Sequence, residues 1–234
     1  MRAVVCMSAI AVMFFATAAS AFGPGMQSPA QGQDFWKGGE FTPVVGYWAE
    51  YQMTFEDKEP MTMRVAIVGQ EEDAYWYETV MKNEEGEPIV TKMLVSGDPG
   101  DTGNVKRMII KSGEEQAIEM PVEMMKMQGM EKAEAKEEME SGTAPESFGQ
   151  DLGVEEVTVP AGTFKAHHWR GESEESSYDV WVQQEIGPYG LIKTTSEDYE
   201  MVLVAHGDDA ETMITETPKS FPMPGFKMPG MGGE

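Results

Sequence analysis

The sequence predicts a mainly β protein built on one large antiparallel sheet. Three observations carry the prediction: apolar and polar residues alternate with period two in segment after segment, Gly, Pro and Asp clusters punctuate those segments, and a single stretch has the apolar spacing of a helix. About a dozen short strands with turns between them fit an antiparallel sheet or open barrel better than alternating strands and helices.

The first strand is read in Val45–Glu56, where the odd positions Tyr47, Tyr51, Met53 and Phe55 are apolar or aromatic and the even ones mostly polar. Pro60 closes a turn, and Met61, Met63, Val65 and Ile67 alternate again with Thr62 and Arg64. A third run, Asp73–Met81, is dense in aromatics (Tyr75, Trp76, Tyr77), which suit a strand. Strands follow at 88–96, 104–111 and 116–120, then at 154–159, 163–170, 178–183, 190–195, 200–206 and 211–215.

The helix falls in the gap between those two series, over residues 121–140. Pro121 suits the first helical position, Glu123 favours the positive end of the helix dipole, and Ser141-Gly142 provides a stop. Met124, Met127, Met130 and Ala133 fall at three-residue steps and form an apolar stripe on an otherwise charged helix. Gly129 weakens it by about 1 kcal/mol relative to Ala.

Both ends are set apart from this domain, which runs from 41 to 217. Met1–Ala21 has a basic start, an apolar run and the sequence Ala19-Ser20-Ala21, the form of a secretory signal peptide cleaved after Ala21. Residues 22–40, rich in Gly, Pro, Ser and Gln, read as a flexible leader, and residues 218–234, crowded with Met, Pro and Gly, as a disordered tail. Export to the periplasm is the expected localisation. No apolar run reaches the roughly 20 residues of a membrane-spanning helix, so an integral membrane protein is not expected.

Charge narrows the partners. The chain of 234 residues carries 41 Asp and Glu against 17 Lys and Arg, a formal charge of −24. A basic nucleic-acid-binding surface is excluded, as is a polybasic patch for anionic lipid. Cleavage after Ala21 removes Arg2 and the single cysteine, Cys6, so the exported chain has no disulfide and no thiol chemistry.

Catalytic signatures are missing: there is no nucleophile elbow, zinc helix, phosphate loop or dinucleotide fingerprint, so no enzyme and no cofactor is expected. His167 and His168 are adjacent, and on a strand they point to opposite faces, which suits one solvent-facing ring and one filling a polar gap better than a shared metal. Asp98, Asp101 and Asn104 resemble an oxygen-rich calcium loop but lack the bidentate Glu, and Asp-Pro-Gly is turn chemistry. The unusual residue is methionine, 21 in all. Thioethers are soft ligands that suit Cu(I), but methionine is equally a flexible gap-filler on adaptable apolar surfaces.

Val157-Thr158-Val159-Pro160-Ala161-Gly162-Thr163-Phe164, Asp179-Val180-Trp181-Val182 and Gly187-Pro188-Tyr189-Gly190-Leu191-Ile192-Lys193, in this order, resemble exported bacterial proteins whose sheet is similar to the periplasmic lipoprotein carriers and receptors of the LolA/LolB-like kind. The resemblance implies a strongly curved half-barrel with a helix over its concave face and an apolar ligand in the concavity. It carries no functional residue across, because the matching positions are turns and core residues.

The expected function is therefore a soluble, non-enzymatic periplasmic protein that carries or senses a lipid-like or other hydrophobic small molecule. The candidate lining residues are Tyr47, Tyr51, Met53, Met63, Tyr75 and Tyr77 from the first three strands and Met124, Met127 and Met130 from the helix. Two alternatives stand beside it: a methionine-rich copper-binding or metal-stress protein, and a structural or interaction module of the envelope.

Overall fold

A computed structural model describes residues 43–56, 59–82, 86–97, 102–122, 150–172 and 177–221. The predicted leader segments, the body of the predicted helix with Met124, Met127 and Met130, and the tail beyond Phe221 lie outside the described residues.

Among the described residues, twelve strands form one open sheet. They are β1 (Trp48–Phe55), β2 (Met61–Glu71), β3 (Ala74–Lys82), β4 (Pro88–Val95), β5 (Val105–Ser112), β6 (Ile118–Met120), β7 (Gln150–Val159), β8 (Gly162–Glu172), β9 (Ser177–Val182), β10 (Leu191–Ser196), β11 (Tyr199–Gly207) and β12 (Lys219–Ser220). The order across the sheet is β12-β6-β5-β4-β3-β2-β1-β11-β10-β9-β8-β7. Two meanders, β1–β6 and β7–β11, are thus joined side by side through antiparallel pairing of β1 with β11, the contact of largest sequence separation.

The sheet is curled. Four spacings of about 4.8 Å separate β11 from β7 along a flat sheet, yet Ala161 in the β7–β8 turn donates its N–H to the carbonyl of Leu203 on β11 at 3.2 Å. Register shifts interrupt the ladders β1–β11, β2–β3, β4–β5, β7–β8 and β9–β10. Each such bulge bends its strand and adds right-handed twist, which supplies the curvature.

Both faces of β2–β5 are covered. On one face, Tyr51, Met53, Met63, Val65, Met201 and Leu203 belong to a large core that reaches Val159 and Ala166 in the returning hairpin. On the other, Trp76, Val90, Leu94 and Ile109 are buried together with Ile214. Ile214 belongs to a strap, residues 210–217, that crosses this second face.

The strap corrects one expectation. Residues 211–215 have the alternation of a strand but join no ladder. Their alternate side chains Thr212, Ile214 and Glu216 are held by the sheet's face, and the Met213 N–H is accepted by the Glu78 carboxylate at 3.0 Å. Alternation reports one face buried and one exposed, and a strap lying on a sheet satisfies that as well as a strand within one. A second difference lies just beyond: Lys219 and Ser220, assigned by the sequence to the tail, pair parallel with β6.

Candidate functional site

The register brings the predicted lining residues together. Across β11, β1, β2 and β3, Leu203, Tyr51, Met63 and Met81 stand opposite one another in a row, and residues so opposed share a face. Met201, Met53 and Met61 form the adjacent row. A third row on the same face runs Ile67, Tyr77, Met93, Met108 and Met120 from β2 to β6. All eight methionines of the described strands therefore lie on one face. The strap-covered face of the same strands is built from Trp76, Val80, Val90, Leu94 and Ile109, with none.

Of the predicted residues, Tyr51, Met53 and Met63 sit in the large core at the middle of this face. Tyr77 is buried with Ile67, Val95 and Val105, and Tyr75 packs at its margin. Tyr47 precedes β1 and rests against the backbone of Gly187. Sequence reasoning missed Met81, Met93, Met108, Met120 and Met201. The signal for Met81 was its even spacing from Tyr77; Met108 breaks parity because of the bulge between Leu94 and Val95, so no spacing rule would have found it.

What lies over part of the methionine face is the connection between β9 and β10. Ile186 is buried in the large core, and Tyr189 packs against both that core and the Tyr77 cluster. The rings of Tyr77 and Tyr189 are parallel to within 6°, with centroids 6.4 Å apart. Tyr51 donates its hydroxyl to the carbonyl of Leu191 at 3.2 Å, just after this connection. Burial pushes the phenols of Tyr51 and Tyr199 well above their ordinary range, so both stay neutral. The face is thus apolar and uncharged, with neutral hydroxyls set into it.

A polar cluster occupies the other end of the sheet, on β7–β9. His168, 8% exposed, stacks on Trp181 with centroids 4.3 Å apart. Its Nε2 is 2.6 Å from Asp179 Oδ1 and its Nδ1 is 2.9 Å from Glu155 Oε1. Arg170 grips Asp179 through Nε and Nη2 at 3.0 and 3.2 Å, and Trp181 Nε1 donates to Glu155. His167, on the opposite side, is 2.6 Å from Asp151 Oδ1. With both ring nitrogens committed to carboxylates, His168 has none left to act as a general base in this arrangement. Among the described residues, no group of three or more His, Cys, Asp and Glu side chains is placed to hold a metal ion.

The cluster makes stability depend on acid. Partial burial works against the Asp179 carboxylate, but Arg170 and then His168 outweigh it and hold the group below its usual range. A depressed folded value contributes stability that is present above the unfolded value of about 3.9 and is lost as pH falls through the folded one. Asp179→Asn is therefore expected to destabilise the protein at neutral pH. The gap between wild type and variant in urea midpoint should close as pH is lowered from about 5 to about 2; a gap that stays constant would contradict this assignment.

Comparison with protein-family models finds none that matches the chain, and comparison with curated proteins finds no match either.

Proposed function

We infer that the protein is a soluble, non-enzymatic periplasmic binder of a lipid-like or other hydrophobic small molecule, held against the methionine face. The observation that supports this reading is the segregation of methionine. An ordinary filled core has no reason to place every methionine of the described strands on one face while the apolar side chains buried on the other are alanine, branched aliphatic and tryptophan. Methionine has three rotatable bonds and a polarizable sulfur, so a face rich in it can repack around occupants of different shape. The neutral hydroxyls of Tyr51 and Tyr199 would give such an occupant fixed polar contacts without a charge.

A LolA/LolB-like half-barrel is the architecture that fits this reading, with the curl of β7–β8 toward β11 supporting it. The stripe of Met124, Met127 and Met130 would extend the same surface if residues 121–140 form the predicted lid.

A second reading rests on Met53, Met61, Met63, Met81 and Met201, which are neighbours in register and share one core. Thioethers suit Cu(I). Burying a cation there would leave its charge without a carboxylate partner, since the neighbours are apolar or neutral, and this favours the apolar ligand.

One experiment separates the two. Protein purified from its own envelope is examined by native mass spectrometry, then titrated with Cu(I) against a competing chelator. The expected result is an apolar adduct released on unfolding, with Cu(I) held no tighter than micromolar. Protein that never carries an apolar adduct and fails to take up an added fatty acid would overturn the proposal; tight Cu(I) binding would favour the second reading.

A further inference from the structure

The strap on the second face of the sheet is bound there much as a separate peptide would be. Thr212 Oγ1 donates to Glu78 Oε2 at 2.6 Å and accepts from Lys92 Nζ at 3.0 Å. Both carboxylate oxygens of Glu78 also receive the Met213 N–H, at 3.0 and 3.2 Å. Glu78 is only 2% exposed, so a buried carboxylate on the sheet is satisfied by groups of the strap. Two residues on, Ile214 fills an apolar site between Trp76, Val90, Leu94 and Ile109. Two further on, Glu216 pairs with Lys111 at 2.7 Å. The chain then turns parallel to β6, where the N–H groups of Lys219 and Phe221 donate to the carbonyls of Ala117 and Glu119 at 2.9 and 3.0 Å.

Pockets for alternate side chains followed by main-chain pairing at a sheet edge is the way sheets recognise extended peptides. The strap takes no part in the antiparallel ladders and is joined to β11 through Asp208 and Asp209. We propose that this face is a peptide-binding groove, self-occupied in the isolated chain. Its partner is an extended segment of another protein with a hydroxyl, an aliphatic and a carboxylate side chain at alternate positions. A short tether holds the strap at an effective concentration of about millimolar, so a segment in trans binds only where it outcompetes or displaces the strap. The groove lies on the face opposite the methionines, so this inference is independent of the hydrophobic-ligand reading.

The test uses the full chain and a fluorescent peptide spanning residues 208–221. In wild type the peptide should bind weakly. In Thr212→Ala/Ile214→Ala, whose own strap is loosened, it should bind at least about tenfold more tightly and raise the melting temperature. If the double variant does not fold, Glu216→Ala, which removes a partly exposed anchor, takes its place with the same expectation. Failure of the peptide to bind the loosened variant would overturn the proposal. So would equal binding by a peptide with Ala at 212, 214 and 216. A concentration-dependent wild-type dimer dispersed by the peptide would assign the groove to a second copy of this chain and overturn the proposed partner.

Discussion

Leu203→Ala is expected to cost about 3 kcal/mol, near the middle of the range for removing a buried leucine. Leu203 is fully buried at the centre of β11, opposite Tyr51 on β1, in the core that the β7–β8 hairpin closes. Three elements therefore lose contact with one side chain. Strands on both sides hold the site open and argue for the upper part of the range. Met53 and Met201 beside it are flexible enough to lean into the space and argue for the lower part. For a domain of this size the loss corresponds to a fall of about 6–12 °C in melting temperature. Urea unfolding should show a lower midpoint with an unchanged slope. A loss below about 1 kcal/mol would mean that the core repacks fully and that Leu203 does not tie the two meanders together.

The position of Leu203 marks where the sequence could and could not be read. That it lies on a strand was legible, because Met201, Val202, Leu203 and Val204 form a short apolar run that Gly207-Asp208-Asp209 closes. That β11 lies beside β1 was not. Hairpins such as β2–β3 and β3–β4 announce themselves by a turn between two alternating runs, whereas β1 and β11 are separated by nearly the whole domain. Their pairing is fixed by which apolar faces must be buried together, a property of the complete sheet. The bulges had the same effect on a smaller scale. Period two carries the face assignment correctly from Tyr51 to Met53, but the shift between Leu94 and Val95 moves Met108 onto the face that simple parity denies it.

Residues 211–215 were misread for a different reason. Their alternation is real, and it arises from Glu78, Lys111 and the Trp76 pocket taking every second side chain. The pattern in the sequence describes burial, and it is silent on whether a strand or a sheet face provides it. The two histidines were legible because adjacency on a strand suffices: His168 is packed on Trp181 and His167 is on the other side. Their carboxylate partners Asp151 and Glu155 on β7 and Asp179 on β9 belong to an acid-rich chain, and no spacing singles them out.

Gly187→Ala is expected to destabilise the protein by about 2 kcal/mol, as forced overpacking usually does, and to weaken the proposed binding of a hydrophobic ligand by disturbing what covers the methionine face. A Cβ on Gly187 would meet the Tyr47 ring and lie 2.6 Å from the Tyr47 Cβ. Turning the ring away relieves only part of the overlap, because the Tyr47 Cβ is fixed to a backbone whose carbonyl accepts from Ile67 N–H at 2.9 Å. The connection cannot easily give either: Gln183 N–H donates to the Gly190 carbonyl at 2.7 Å, and Gly190 N–H donates to the Ile186 carbonyl at 2.6 Å. Ile186 and Tyr189, seated on opposite sides of Gly187, would then have to lift from the core together. A double-mutant cycle separates this clash from any intrinsic effect of alanine. Tyr47→Gly removes both the ring and the Cβ, so the cost of Gly187→Ala measured in that background should fall by at least about 1 kcal/mol. An unchanged cost would place the strain elsewhere in the connection and would remove Tyr47 from the group of residues that position it.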